Sequence, residues 1–142
     1  DGNLYHGVAE GVCIVAGDAN PTPCVKKGGT IILVSPMEEG VYNQVFARCL
    51  KEAKDPREVM ERVLEEGVTE PGQHRAYGVA KILLDHEVIC AQSRMDPDEL
   101  RSMHFQAMAS AQGALDTALA KHGPKAKVLV LQSSHRLIPV GR

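Results

Sequence analysis

Tryptophan is absent and aromatic residues make up only 4% of the chain. That excludes the stacking platforms on which single-stranded nucleic acid is bound. Net charge is −2, so there is no basic footprint for a nucleic-acid partner either. No apolar run approaches the roughly 20 residues that span a bilayer, and the N-terminus lacks the basic-then-apolar layout of a signal peptide. No membrane association is expected, and a cytoplasmic location is the default. Four cysteines, Cys13, Cys24, Cys49 and Cys90, lie far apart, with no C-x-x-C and no Cys/His pairing at zinc-site spacing. They read as buried or half-buried thiols in a reducing compartment.

What is present is an ordinary globular composition, with 44% hydrophobic and 24% charged residues in 142. That length suits one domain with a real core. The organising stretch is Lys26 to Gly40, KKGGTIILVSPMEEG. A Gly-Gly break precedes the uninterrupted, β-branched run Thr30 to Val34. Such a run suits a strand buried on both faces, hence a parallel sheet covered by helices. Ser35-Pro36 ends it, and a polar loop runs to Gly40. Ligands gather beyond the carboxyl ends of strands in open α/β sheets, which makes Ser35 to Gly40 the first candidate site.

Taken in order, Asp1-Gly2-Asn3 reads as a turn with Asn3 as helix cap. Leu4, Val8, Val12 and Val15 recur at helical spacing. Gly7, Gly11 and Gly17 weaken that helix unless a strand or ligand packs closely against it. Asn20-Pro21-Thr22-Pro23 ends it. An amphipathic helix is expected over Val41–Ala53, another from the Asp55-Pro56 start to Glu66, and a third from about Gln73 to Asp85 or His86. Glu87–Ser93 is the second strand candidate. A short helix follows Asp96-Pro97, then a longer one from about Gln106 to His122. Lys127–Leu131 (KVLVL) is the third strand candidate. The expected fold is therefore three-layer α/β: a mostly parallel sheet of about three to four strands, including Val88–Ala91 and Val128–Leu131, with helices on both faces. Residues 1–142 are expected to form a single such domain. Because three strands make a small sheet for this many helices and the first helix has no strand before it, the chain is expected to be a fragment of a larger protein.

Several residues invite chemical readings. His6, beside Tyr5, reads as an anion-binding or acid–base group and equally as a surface histidine. His74-Arg75 follows Pro71-Gly72 at a helix start, where anions are favoured, although basic residues on solvated helix faces are common. Glu38 and Glu39 could divide acid and base roles, but adjacent loop glutamates are usually just solvated. Ser133-Ser134-His135 lacks a nucleophile elbow and an acidic partner, so a hydrolase is rejected. His86, His104 and His122 have no metal-like i, i+4 partners. Met95, Leu100, Met103 and Met108 read as core filler. A nucleotide-binding Rossmann domain is disfavoured, because Gly28-Gly29 precedes its strand and no G-x-G-x-x-G follows one.

NLYHGV (Asn3–Val8), VKKGGTIILVS (Val25–Ser35) with the trailing Gly40, and the order of later elements resemble the C-terminal region of the nickel-dependent lactate racemase family. The resemblance implies a two-domain α/β protein with its active site between the domains. It implies a nickel-pincer nucleotide that exchanges a hydride with the hydroxyl-bearing carbon. The residues that hold this cofactor belong to the family's N-terminal portion, so no catalytic or metal-binding residue and no cofactor are expected in this chain. Its partners would be that N-terminal domain and a small 2-hydroxy acid. Tyr5 and His6, by resemblance, and Ser35 and Glu38, from the strand-end loop, are the substrate-side candidates. His6 stands where the family has glutamine and Ala9 where it has lysine, which puts lactate itself in doubt and leaves a non-catalytic binding module as the alternative.

Overall fold

The computed structural model describes residues 2–18 and 22–136. The expected Asn20-Pro21 break and the last residues lie outside that range. Leu4–Gly7 (α1) continues through a π-helical turn, Val8–Val12, into Cys13–Ala16 (α2). The strand Thr30–Val34 (β1) follows, then helices Gln44–Lys51 (α3), Pro56–Glu66 (α4) and Gln73–Asp85 (α5). Glu87–Ala91 (β2), Pro97–Ser102 (α6), Gln106–Met108 (β3) and Ala111–His122 (α7) come next, and a 3₁₀ turn at Ser134–Arg136 ends the order.

Local chemistry sets most of these boundaries. Asn3, Asn43, Asp55, Asp96 and Ser110 each cap a helix by accepting from a backbone N–H of its first turn, and proline occupies the start of α4 and α6. Gly17, at φ 84°, closes α2 in the left-handed conformation.

The sheet is three-stranded and parallel, in the order β1-β2-β3. Its alternation divides the core. Ile31, Val88 and Cys90 pack with Leu4, Val8, Phe46, Val79 and the other buried residues of the helices on one face. Ile89 and Ala91 pack with Ala114 of α7 on the other, where Ile32 and Met108 complete a smaller cluster. Helices thus cover both faces, as expected for a three-layer α/β domain. The close packing anticipated from the first helix's glycines is real at Gly11, where a Cβ would lie 3.3 Å from the Leu33 side chain and 3.4 Å from Ser134 Oγ. A strand, not a ligand, occupies that contact.

Three expectations are corrected. β1, expected to be buried on both faces, is an edge strand with Val34 51% exposed, and the centre of the sheet is β2, whose last four residues are all buried. Lys127–Leu131 is not a strand: it carries no ladder pairing, and Val128, Leu129 and Val130 are 56%, 62% and 79% exposed. The third strand is instead Gln106–Met108, at the expected start of the long helix. Ser110 accepts from Gly113 N at 3.0 Å and delays that helix to Ala111. The preceding residues are left extended beside β2, with Gln106 opposite Ile89.

The cysteines follow the expected pattern: all four are free, Cys13 and Cys90 buried and the others half-buried. Met95, Leu100 and Met103 are core residues. Among the described residues no helix is long and apolar enough to cross a membrane.

Candidate functional site

Beyond the carboxyl ends of β1 and β2 the backbone is unusual. Met37 (φ 49°), Tyr42 (φ 69°) and Gln92 (φ 58°) all adopt left-handed conformations without being glycine. Such conformations cost free energy and persist where the surroundings impose them. The imposing contacts are visible. Ser35 N donates to Ala91 O at 3.2 Å and extends the ladder, Arg94 N donates to Pro36 O at 2.8 Å, and Gly40 N closes a turn on Met37 O at 3.0 Å. The Met37 side chain is 1% exposed and anchors the loop in the core.

The start of the chain is spliced onto this loop. Glu39 N donates to Gly2 O at 2.7 Å and Leu4 N to Gly40 O at 2.8 Å. Asn3, only 4% exposed, accepts from His6 N and donates through Nδ2 to Glu39 Oε2, both at 3.0 Å. These bonds hold the first turn of α1 against the strand-end loop.

Tyr5 and His6 project from that turn into a ring cluster. Tyr5 lies edge-on to Phe46, with centroids 5.5 Å apart, and His6 lies 4.9 Å from Tyr42. Phe46 is fully buried and Tyr42 is 63% exposed, so the cluster runs from the core to the surface. The α5 N-terminus abuts it. Gly72 (φ 114°) passes so close to the Asn43 amide that a Cβ there would overlap it. In the first turn of α5, the Arg75 guanidinium carbon sits 6.0 Å from the Tyr5 ring centroid, within cation–π range.

Of the four candidates, Tyr5 and His6 are thus brought into one partly open cluster. Ser35 lies on the adjoining loop, buried at 5% exposure. Glu38 Oε1 pairs with Arg94 Nη1 at 2.9 Å, in an exposed position where such pairs contribute little. Sequence reasoning missed Tyr42 and Arg94. The Gly40-Val41-Tyr42-Asn43 turn carried a usable signal, an aromatic residue just after a strand-end loop.

A cleft of about 670 Å³ opens at the opposite end of the sheet, lined by residues including His86, Glu87, His104, Phe105 and Lys121. Its size does not make it the functional site. Glu87 is engaged by Thr30 and Lys121, Arg101 by Asp98, and His104 Nε2 lies 3.0 Å from Leu50 O. Lys121 thus ties the end of α7 to β2, and the other groups are committed to contacts within the fold.

The decisive comparison is with a family model: the lactate racemase C-terminal domain matches residues 1–138. The chain belongs to that family.

Similar proteins include the lactate racemase of Lactiplantibacillus plantarum, 33% identical over 108 residues, which cover 75% of this chain and 26% of that protein. The lactate racemase of Thermoanaerobacterium thermosaccharolyticum is 33% identical over 105 residues, covering 72% and 23%. The structure of the apoprotein from the latter organism superimposes with a TM-score of 0.70 at 30% identity, covering 84% of this chain and 28% of that one. The chain therefore spans about a quarter of the length of these relatives.

Membership raises the question of the nickel-containing cofactor implied by resemblance. Among the described residues no group of three or more His, Cys, Asp or Glu side chains could hold a metal ion. Cys90 is buried in the core between the sheet and its helices, and burial pushes its thiol up to about 12. These residues do not fit the metal end of that group, and no chemical step is derived through it.

Proposed function

We propose that this domain forms the substrate-side wall of a racemase or epimerase acting on a small 2-hydroxy acid. The observation that carries the reading is the Tyr5–His6–Tyr42 cluster, held at the strand ends of a lactate racemase C-terminal domain. Tyr5 offers a phenol and His6 an imidazole, both suited to hydrogen-bond a carboxylate or hydroxyl. In this reading Ser35 supports the loop from below, and Glu38 with Arg94 borders it. The partner is an N-terminal domain that closes the cleft and holds the nickel-pincer nucleotide.

A specific residue favours a second reading. Ala9 stands where the family resemblance implies a lysine, and losing an ammonium removes a charge-assisted contact to a carboxylate. A domain that keeps the fold but not catalysis would show this.

The two readings separate in the full-length protein. Interconversion of the enantiomers of lactate, malate and other 2-hydroxy acids is followed by chiral chromatography. The enzyme reading expects turnover of at least one acid, with a raised KM in His6→Ala and parent-like kinetics in His122→Ala, whose side chain meets Thr30 Oγ1 at 2.8 Å far from the cluster. No turnover by a cofactor-loaded protein would leave the binding-module reading.

A further inference from the structure

Arg75 is a cation without a counter-ion among the described residues. Its Nε is buried and has no hydrogen-bond partner. Its Nη1 lies 3.9 Å from the Cys13 sulfur, and that thiol is no anion: burial raises its pKa more than the neighbouring guanidinium lowers it. Acidic side chains of the adjoining segments are committed elsewhere. Asp18 pairs with Lys81 at 3.6 Å, and Glu70 pairs with Arg48. The Tyr5 ring faces the guanidinium but supplies only a quadrupole.

Arg75 is half-buried, and a guanidinium nitrogen withdrawn from water without a paired acceptor is costly. Its fork of N–H donors matches a planar oxyanion, which it holds through two parallel bonds. The position is also well built for the purpose. The docking of Asn43 against Gly72 and Pro71 fixes the start of α5, and Tyr5 is held by its contacts to Phe46 and the capped first turn of α1.

We infer that Arg75 is a specificity-determining residue of the Tyr5–His6–Tyr42 cluster and takes the carboxylate of the 2-hydroxy acid. The inference rests on the function proposed above and deepens it. Arg75 sets the requirement for an anionic end on the ligand, while Tyr5 and His6 address the hydroxyl side.

The test is equilibrium binding to the full-length apoprotein, so that it does not depend on turnover. Glycolate, lactate, malate and the neutral isostere lactamide are titrated and followed by ligand-observed NMR. The ¹⁵N signal of the Arg75 Nε–H group is recorded in the parent protein. The inference expects the acids to bind more tightly than lactamide and to shift that signal to saturation. Arg75→Gln should weaken the acids by about tenfold or more, as for loss of a charge-assisted hydrogen bond. Arg75→Lys should recover part of the loss, and lactamide should respond to neither variant. Arg62→Gln, which removes a side chain paired with Glu58 on α4, should change nothing.

If Arg75→Gln binds the acids like the parent while His6→Ala weakens them, Arg75 is not the anion holder, yet the cluster remains the site. If no acid binds the parent, both the inference and the function beneath it fall. If Arg75→Gln does not fold, the parent Nε signal decides alone: an unmoved signal at acid saturation overturns the inference.

Discussion

Asn3 holds the helix start and the strand-end loop together, and its replacement gives a sharp test of how the site is built. In Asn3→Ala the cap to His6 N is lost, at a cost of about 1 kcal/mol. The bond from Nδ2 to Glu39 is lost as well. Because Glu39 is exposed, that adds only about 0.5–1 kcal/mol. The sum is close to 2 kcal/mol, and at roughly 3 °C per kcal/mol for a domain of this size the melting temperature should fall by about 6 °C. Asn3→Asp separates the two contributions. It keeps the cap oxygen but sets a second carboxylate where the amide nitrogen met Glu39 at 3.0 Å. At neutral pH the repulsion should cost about 1–2 kcal/mol, screened by exposure. Adding Glu39→Gln to Asn3→Asp should restore most of that loss, a coupling that a double-mutant cycle reads directly. Urea unfolding followed by circular dichroism measures the parent, Asn3→Ala, Asn3→Asp, Glu39→Gln and the double variant. If Asn3→Ala and Asn3→Asp both stay within about 0.3 kcal/mol of the parent, well below the usual cost of losing a cap, the splice between α1 and the loop does not carry the stability assigned to it.

The buried thiols predict an alkaline weakness. An unfolded cysteine ionises near ~8.5, whereas Cys90 is pushed up to about 12 in the fold. The native state therefore keeps a proton that the unfolded state releases, and the stabilisation present below the unfolded value is lost as pH rises toward the folded one. The decline should approach roughly 1.4 kcal/mol per pH unit for that thiol, and Cys90→Ala should flatten it; equal slopes in the two proteins would refute the assignment. Exposed Lys127–Leu131 should be energetically quiet: Val130→Ser should change stability by less than about 0.5 kcal/mol. Ile89→Ala, in the central strand, should cost roughly 2–4 kcal/mol. A large loss at Val130 would show that the segment is packed after all.

The elements whose determinants are local were legible in the sequence. Asn3, Asp55-Pro56 and Asp96-Pro97 mark helix starts because a short polar side chain satisfies a first-turn N–H wherever the helix goes. The apolar run Thr30–Val34 and the stretch from Glu87 announce strands because their β-branched side chains suit a pleated, half-buried surface. The family was legible too, through Asn3–Val8 and the Gly-Gly turn into β1. Tertiary structure alone decided which apolar segments found partners. KVLVL has a better strand composition than Gln106-Ala107-Met108, yet the shorter segment pairs with β2, because Ser110 ends it in a cap and Ala107 and Met108 pack against the core on the two faces of the sheet. β1 is the more apolar strand and still lies at the edge, since strand order depends on crossovers that composition does not encode. The site shows the same division. Tyr5 and His6 are neighbours in sequence, but Tyr42, Phe46 and Arg75 reach them from two other helices and a turn. The contacts that bring them there, Asn43 on Gly72 and Leu4 on Gly40, join residues distant in the chain. Only packing places a cation, a phenol and an imidazole together, because no local preference of any of these residues refers to the others.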